Sequence, residues 1–326
     1  MTRRRLLLAV LALGVVAGPL RSAAQRPGKI PRIGYLTPNA QPARDEHFRD
    51  ALRQLGHEDG RSVAIEYRSA EGRFERLPTL AAELVALDVD VIVAVVTQAA
   101  LAAQQATRTI PIVMVAVADP VGTRLVASLA RPGANVTGTS SVAADVVGKQ
   151  LELLRQVLPR MSRVAALWNP TNLAFAQRQL AEAKAAATAL RLQLQVVEAR
   201  SPADLDRAFT LMVKPRPDAL IVLADPLFYP HSERIAGLAI SHHLPAVSGA
   251  REYAASGLLL TYGPTYPEAY RGAAGYVDRI LKGARPAELP VEQNTKFELV
   301  VNARTAKTLG VVVPSSVIAR ADHVIQ

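Results

Sequence analysis

The sequence predicts an α/β protein made of two doubly wound lobes, each built on a parallel sheet. Short apolar runs alternate with segments whose apolar residues recur about every 3.6 positions, which is the pattern of buried strands followed by helices. The chain has 326 residues, of which 50% are hydrophobic but only 5% aromatic, so its core must consist mainly of Ala, Val, Leu and Ile. That length favours two domains of ordinary size over one.

The apolar runs are predicted strands and the periodic segments are predicted helices. The strands are 32–36, 63–67, 91–96, 112–117, 163–168, 193–198, 219–224, 245–248 and 257–262. The helices include 43–55, 76–87, 98–106, 174–190 and 232–243. Right-handed crossovers bring the carboxyl ends of parallel strands to one edge of each sheet, where ligands of open α/β sheets bind.

The second half of the chain repeats the pattern of the first half. RIGYLTPN at 32–39 is echoed by RVAALWNPTN at 163–172, and each would be the first strand of a lobe, followed by a turn. The similarity lies in the pattern more than in the letters, so a chance likeness is the alternative. We interpret the echo as a duplicated architecture, with a ligand cleft between two lobes.

Residues 1–24 have the three parts of a secretory signal peptide. A basic start precedes an apolar run from Leu6 to about Val16, and Ser22-Ala23-Ala24 is a small-residue cleavage site. The run is too short to span a bilayer, which disfavours a membrane anchor, while both Sec and twin-arginine export stay open. With no cysteine, the chain has no disulfide and no site for a lipid anchor. We therefore expect a protein free in a bacterial periplasm.

The charge and the motifs exclude several classes of function. The formal charge of +10 includes four arginines of the signal peptide, so the mature protein carries 10 − 4 = +6. The remaining basic residues are scattered among acidic ones, without the basic patch that nucleic acid requires. We find no Gly-x-Ser-x-Gly, phosphate-binding or His-Glu-x-x-His motif, and the adjacent His242 and His243 would point about 100° apart on a helix. The sequence therefore predicts no enzyme, no cofactor and no metal.

Several stretches together resemble one known family. They are IPIVMVAVADPVGTRLVASLARPGANVTGTS (110–140), LELLRQVLP (151–159), WNPTN (168–172) and FELVVNARTAKTLGVVVPSSVIARADHVI (297–325). In this combination they are similar to ABC-transporter substrate-binding proteins with the type I periplasmic fold, in the branch that includes receptors for aromatic amino acids.

The resemblance implies two lobes joined by three crossings, with a ligand held between them. The crossings are expected near Thr139–Val142, Tyr262–Pro264 and Gly283–Pro290, all of which are turn-rich. This gives residues 30–141 plus 264–286 as the first lobe and 142–263 plus 287–326 as the second. The implied function is that of a monomeric receptor that closes on an amino acid or related carboxylate and delivers it to an inner-membrane ABC permease.

Polar residues at strand ends are candidate ligand contacts. Thr97 begins a helix, where its hydroxyl and the first-turn N–H groups would bind a carboxylate, unless Thr97 is a plain cap. Gln98 follows in the same turn. Members of the family often carry Gly-Thr at this point, whereas Val96 precedes Thr97 here. Ser140, at the first crossing, could donate a hydrogen bond to the same anion.

Asp119 and Asp225 each precede a proline after a predicted strand. This arrangement suits a helix cap at least as well as a ligand contact. By resemblance Asp225 is the better ligand candidate, because a carboxylate near this point holds the ammonium in the amino-acid receptors. Those receptors tend to have Asp-Asn where this chain has Asp225-Pro226, which counts against an amino acid.

Aromatic residues and one asparagine complete the predicted ligand site. Tyr35, Trp168 and Tyr262 lie at strand ends, where their rings would either contact an apolar ligand or pack in the core. Asn169 could bind ligand or cap the next helix. The predicted ligand site is therefore Tyr35, Thr97, Gln98, Asp119, Ser140, Trp168, Asn169, Asp225 and Tyr262.

Three other functions compete with that of a transport receptor. An exported α/β enzyme would need a nucleophile and a base, which the motifs do not supply. A repressor-type regulator of the same fold would need a helix-turn-helix where the signal peptide stands. A ligand sensor that feeds a membrane kinase is not distinguished from a transport receptor by the sequence.

Overall fold

The computed structural model describes residues 30–171 and 173–326, so the predicted signal peptide lies outside the described residues. Pro31–Gln326 form one compact unit. The strands are β1 (Arg32–Thr37), β2 (Ala64–Ser69), β3 (Val91–Val95), β4 (Ile112–Ala118), β5 (Val136–Ser141), β6 (Arg163–Trp168), β7 (Gln193–Glu198), β8 (Ala219–Val222), β9 (Ala246–Ser248), β10 (Leu260–Pro264), β11 (Glu292–Asn294), β12 (Phe297–Asn302) and β13 (His323–Ile325). The helices are α1 (Pro42–Gln54), α2 (Leu77–Ala86), α3 (Val96–Ala106), α4 (Val147–Val157), α5 (Leu173–Ala189), α6 (Leu205–Val213), α7 (Ser232–Ser241), α8 (Arg251–Ala255), α9 (Tyr266–Leu281), α10 (Ala303–Thr308) and α11 (Ser315–Ile318).

The strands form two sheets. The six-stranded sheet has the order β11-β5-β4-β3-β1-β2, and all its strand pairs are parallel. The seven-stranded sheet has the order β13-β12-β10-β9-β8-β6-β7, and its strand pairs are parallel except for β10 with β12, so β12 and β13 run opposite to the other five strands. We call the first sheet with α1, α2, α3 and α9 the first lobe, and the second sheet with the other helices the second lobe. The predicted architecture of two doubly wound lobes is confirmed.

Helices cover both faces of each sheet, which explains why the central strands are apolar without interruption. On β3, Val91 and Val93 pack on one face with α1 and α9, while Ile92 and Ala94 pack on the other with α2 and α3. The same alternation on β6 sends Ala166 toward α4 and α5 and Leu167 toward α6 and α7. Successive residues of a strand point to opposite faces, so a strand buried on both faces needs apolar residues throughout.

The chain passes between the sheets at three places. The first crossing follows β5 and the second lies between β10 and α9, next to the segments predicted for them. The third crossing was predicted at Gly283–Pro290, and this position is wrong. β11 comes after that segment and pairs with β5 in the first sheet, so the chain leaves the first sheet only at 295–296. The second lobe therefore does not resume at residue 287.

Some elements differ from the sequence pattern. The strand predicted at 257–262 begins at Leu260, because the chain first turns at Gly257, where φ is +116°. β5, α4, α9 and β12 were not predicted as elements. Among the described residues, no helix has the length and apolar character that crossing a membrane requires.

Candidate functional site

A cavity lies where the carboxyl ends of the two sheets meet. The space in it that the centre of a water molecule can occupy is about 60 Å³. A single water needs roughly 10–15 Å³ of such space, so the cavity has room for more than one. The first lobe contributes Gln41, Arg44, Val96, Thr97, Gln98, Ala116, Ala118, Ser141 and Tyr266. The second lobe contributes Ala224, Asp225, Pro226, Tyr229, Ser248, Ala250 and Tyr253. We call this space the inner cavity. A small molecule in it would contact both lobes.

Two predicted residues of the first lobe, Thr97 and Gln98, line the inner cavity. The Thr97 hydroxyl accepts a hydrogen bond from the Ala118 N–H at 3.2 Å and lies 3.4 Å from the Ala118 carbonyl. The hydroxyl therefore links the start of α3 to the end of β4, and its two contacts with Ala118 fix its position. The half-buried Gln98 side chain is the more available polar group of this turn.

Asp225 also lines the inner cavity, and it is 7% exposed. Its Oδ1 accepts a hydrogen bond from the Leu227 N–H at 2.8 Å and another from the Asn169 amide at 3.1 Å. Asn169 in turn accepts hydrogen bonds from Thr171. Asp225 thus stabilises the turn after β8 and also faces the inner cavity. Asn169 does not line the cavity, but its hydrogen bond holds the Asp225 carboxylate in place.

The three aromatic residues of the predicted site lie away from the inner cavity. Tyr35 is 2% exposed, packs in the core between β1 and α1, and donates to Asp45 at 2.6 Å. Trp168 is 9% exposed and packs in the core of the second lobe. Tyr262 stacks on Phe297 with 5.8 Å between ring centroids. For these rings the structure supports the packing alternative.

Ser140 and Asp119 do not line the inner cavity either. The Ser140 hydroxyl lies 3.5 Å from the Glu292 carbonyl oxygen, and the next residue, Ser141, lines the cavity instead. Asp119 accepts from the Gly122 N–H at 2.9 Å, as a cap does. Its carboxylate also lies 4.0 Å from Arg178 of the second lobe, at the surface.

Arg44, which is not among the predicted site residues, lines the inner cavity. Arg44 stands in the first turn of α1, and its side chain is 9% exposed. Its guanidinium carbon lies 3.8 Å from the ring centroid of Tyr229 and 3.9 Å from that of Tyr266, which is cation–π geometry. Its Nε donates to Glu252 at 3.1 Å. Because Tyr229 and Glu252 belong to the second lobe, this cluster joins the two lobes.

Both charges of the pair are maintained inside the protein. Burial alone would lower the pKa of the Arg44 guanidinium, but the Glu252 carboxylate and the neighbouring tyrosine hydroxyls together outweigh burial and raise it. Burial would likewise raise the pKa of Glu252, but Arg44 lowers it, with help from the Tyr229 hydroxyl at 2.8 Å. The pair is therefore ionised at neutral pH.

Several polar atoms around the inner cavity are unsatisfied. In the part of the chain that the structure describes, four buried wall atoms have no hydrogen-bond partner, namely Gln41 Oε1, Arg44 Nη2, Gln98 Nε2 and Tyr253 Oη. Leaving such a group unpaired costs about 1–3 kcal/mol. Four of them around one cavity indicate that water or a polar ligand supplies their partners there. No group of three or more potential metal-ligating residues occurs among the described residues.

Strained backbone surrounds the same cavity. Val96, Ala116 and Asp119 have φ of +61°, +53° and +44°, a region that L-residues avoid and that a β-branched residue avoids most. At Ala116 the β4–β5 register shifts, and the Ala116 N–H bonds to the Thr139 hydroxyl at 3.1 Å. This bulge places Ala116 and Ala118 in the cavity wall. Strain of this kind is typical of functional sites.

We expect Val96→Gly to change the free energy of unfolding by less than about 1 kcal/mol, because relief of the positive-φ strain offsets the lost packing of this half-buried side chain and the greater freedom of glycine in the unfolded chain. The matched control is Val95→Gly. Val95 is buried and has φ of −84°, so its loss should destabilise the protein by about 2 kcal/mol or more. Urea unfolding of the two variants measures both changes. Equal destabilisation by both would show that Val96 is not strained.

The missed residues carried a signal in the sequence. Arg44 and Gln41 follow β1, just as Thr97 follows β3 and Asp225 follows β8. The expectation that ligands bind at the carboxyl ends of parallel strands, which we call the strand-end rule, therefore applies to them equally. Tyr266 follows β10 and enters the inner cavity from the crossing between the lobes.

Comparisons with known proteins agree with this geometry. The profile of the family described as ABC transporter substrate binding protein matches residues 35–325. A tyrosine-binding protein from Clostridioides difficile (strain R20291) is 28% identical over 264 residues, which cover 80% of this chain and 75% of that protein. A Streptococcus pneumonia ABC domain solved in complex with L-Trp is 28% identical, with a TM-score of 0.84 over 91% of this chain and 100% of that chain.

A further solved structure, a conserved domain protein from Vibrio cholerae O1 biovar eltor, is 30% identical, with a TM-score of 0.85 and the same coverage of both chains. The leucine-binding protein LivK from Thermotoga maritima, at 16% identity and a TM-score of 0.55, shares the fold. The predicted type I fold is thereby confirmed, and the matched family and the tyrosine-binding relative are binding proteins, not enzymes. With a profile match across both lobes and a cavity at their strand ends, the chain belongs to the family of ABC transporter substrate-binding proteins.

Proposed function

We propose that the protein is a periplasmic receptor that closes on an amino acid or related carboxylate and delivers it to an inner-membrane ABC importer. The observation that carries this proposal is the inner cavity, in which both lobes present buried polar atoms to one small space. The relatives named for tyrosine and solved with L-Trp support an amino acid as the ligand class. The periplasmic location is supported by the predicted signal peptide.

The charges of the wall suit a zwitterion. Asp225 of the second lobe is placed to hold an ammonium, and Arg44 of the first lobe, with the start of α3 beside it, is placed to hold a carboxylate. A ligand with both charges would therefore contact both lobes. Because the open form offers only one of these contacts at a time, the ligand binds the closed form better and shifts the population toward it.

The test is calorimetry on the unmodified protein and on Asp225→Asn, with L-amino acids and their deaminated acid analogues. Asparagine still caps the turn, so the fold should be unaffected, while loss of the charge should weaken amino-acid binding by about 30- to 4,000-fold. Binding of the deaminated acids should change little. Asp119→Asn is the matched control, because Asp119 caps a turn outside the inner cavity. If Asp225→Asn still bound an amino acid tightly, Asp225 would serve only as a cap of its turn.

Small-angle scattering on the same samples tests closure. The radius of gyration should fall when ligand is added, because two lobes on three connections rotate toward each other. An unchanged radius at saturation would contradict closure. Loss of uptake of the labelled ligand in a deletion strain, and its rescue by the plasmid-borne protein, tests delivery to an importer.

A further inference from the structure

Two aromatic faces in the inner cavity are covered by the protein's own cation. Tyr229 comes from the second lobe and Tyr266 from the first, and the guanidinium of Arg44 lies over both rings at less than 4 Å. Flat ligand rings stack on tyrosine faces of this kind. In this protein those faces are occupied before any ligand arrives.

Arg44 also separates the inner cavity from a larger one. The larger cavity, which we call the outer cavity, has a volume of about 520 Å³, and its wall includes His47, Glu252, Glu268 and Lys296. Among the residues that the structure describes, Arg44 and Tyr266 alone line both cavities. The Arg44 side chain is therefore a partition, which Glu252 holds in place through Nε.

The Arg44 guanidinium takes up the space over the faces of Tyr229 and Tyr266, where the ring of an aromatic ligand would stack. The volume left in the inner cavity is about 60 Å³. Its polar wall instead offers the Nη2 atom of Arg44, which has no partner among the described residues and is fully buried. A carboxylate is the natural partner for a guanidinium in such a site.

We propose that Arg44 determines the ligand class, by closing the inner cavity against aromatic rings and by binding the ligand's carboxylate, so that the protein selects small amino acids. This inference rests on the proposed function, since it concerns the same site. The expected preference differs from the ligands named for two relatives, which are tyrosine and L-Trp. Removing the Arg44 side chain would join the two cavities and uncover the faces of Tyr229 and Tyr266.

The experiment is calorimetry with L-alanine, L-serine and L-tryptophan on the unmodified protein and on Arg44→Ala. The unmodified protein should bind alanine or serine more tightly than tryptophan. Arg44→Ala should bind the small amino acids at least about 30-fold more weakly. Tryptophan loses the same carboxylate contact but gains the uncovered faces of Tyr229 and Tyr266, so its affinity should fall much less and the preference should reverse in favour of tryptophan. Arg49→Ala is the control, because Arg49 is exposed on the same helix, and it should retain the original preference.

A second variant shows whether misfolding, and not a change in ligand preference, explains the result with Arg44→Ala. Arg44→Ala leaves Glu252 buried without its cation, so Arg44→Ala/Glu252→Gln removes both charges and should show the same reversed preference with a normal melting temperature. If the unmodified protein prefers tryptophan, or if both variants keep the original preference, Arg44 does not set the ligand class, and the proposed function stands. If the unmodified protein binds neither amino acids nor their deaminated analogues, the proposed function fails, and this inference fails with it.

Discussion

Gly138→Ala is expected to lower the free energy of unfolding by about 4 kcal/mol. A Cβ at this position would lie 2.2 Å from the carbonyl oxygen and 2.7 Å from the nitrogen of Met114, both of which are backbone atoms. In addition, φ is +130°, which alanine rarely adopts. Overpacking and backbone strain each cost about 1–3 kcal/mol, and here both apply. Urea unfolding gives the change directly.

Gly275→Ala is the matched control for this substitution. Gly275 lies inside α9 with no atom within 4 Å of its built Cβ, so alanine there should raise the free energy of unfolding by about 0.5–1 kcal/mol. If Gly138→Ala behaved like Gly275→Ala, β5 could not lie as close to Met114 as the structure has it. Because Gly138 faces the bulge that places Ala116 and Ala118 in the inner cavity, any Gly138→Ala protein that still folds should also bind ligand more weakly.

Alkaline solution is expected to unfold the protein abruptly above pH 10. Tyr35, Tyr253 and Tyr270 are at most 2% exposed, and burial, reinforced by neighbouring acidic groups and hydroxyls, raises the pKa of each above the usual value of 10. Burial and Glu292 raise the pKa of Tyr276 to about 12. The folded protein therefore keeps these protons at a pH at which the unfolded chain releases them.

The sign of the pH dependence follows from linkage. Below pH 10 both states are protonated and these tyrosines add no pH dependence. Between pH 10 and the folded-state pKa, each fully buried tyrosine removes up to about 1.4 kcal/mol of stability per pH unit, hence about 4 kcal/mol per unit for the three. Tyrosinate absorbance and circular dichroism should change together in one step. Gradual titration of most tyrosines near pH 10 with an unchanged dichroism spectrum would contradict this expectation.

The fold was predictable because the core strands are buried on both faces. β1, β3, β4 and β6 are continuous apolar runs, and their predicted limits are within about one residue of the observed ones. β5, with the sequence VTGTSS, has few apolar side chains, because it lies near the sheet edge and at a crossing, so no periodic signal marked it. β11 contains no apolar residue, and without it the third crossing was placed too early.

The lining of the inner cavity was predictable where position along the chain decides it. Thr97, Gln98 and Asp225 follow central strands, and the strand-end rule leads to all three. The rule does not say which way a side chain at the end of a strand points. Tyr35 lies on the strand face that packs against α1 and α9, so its ring enters the core. Nor does a sequence reveal that Arg44 turns inward, since its partner Glu252 is 208 positions away.

The partly buried pair of Arg44 and Glu252 also has a consequence for rates. To open, the lobes must separate the two charges and draw the guanidinium away from both tyrosine rings before water can surround it. We therefore expect opening, and not diffusion out of the cavity, to limit how fast a bound ligand leaves. Salt should weaken this pair less than the exposed pair of Arg178 and Asp119, because the Arg44 side chain is only 9% exposed. The strength of the Arg44–Glu252 pair would then contribute directly to the residence time of the ligand.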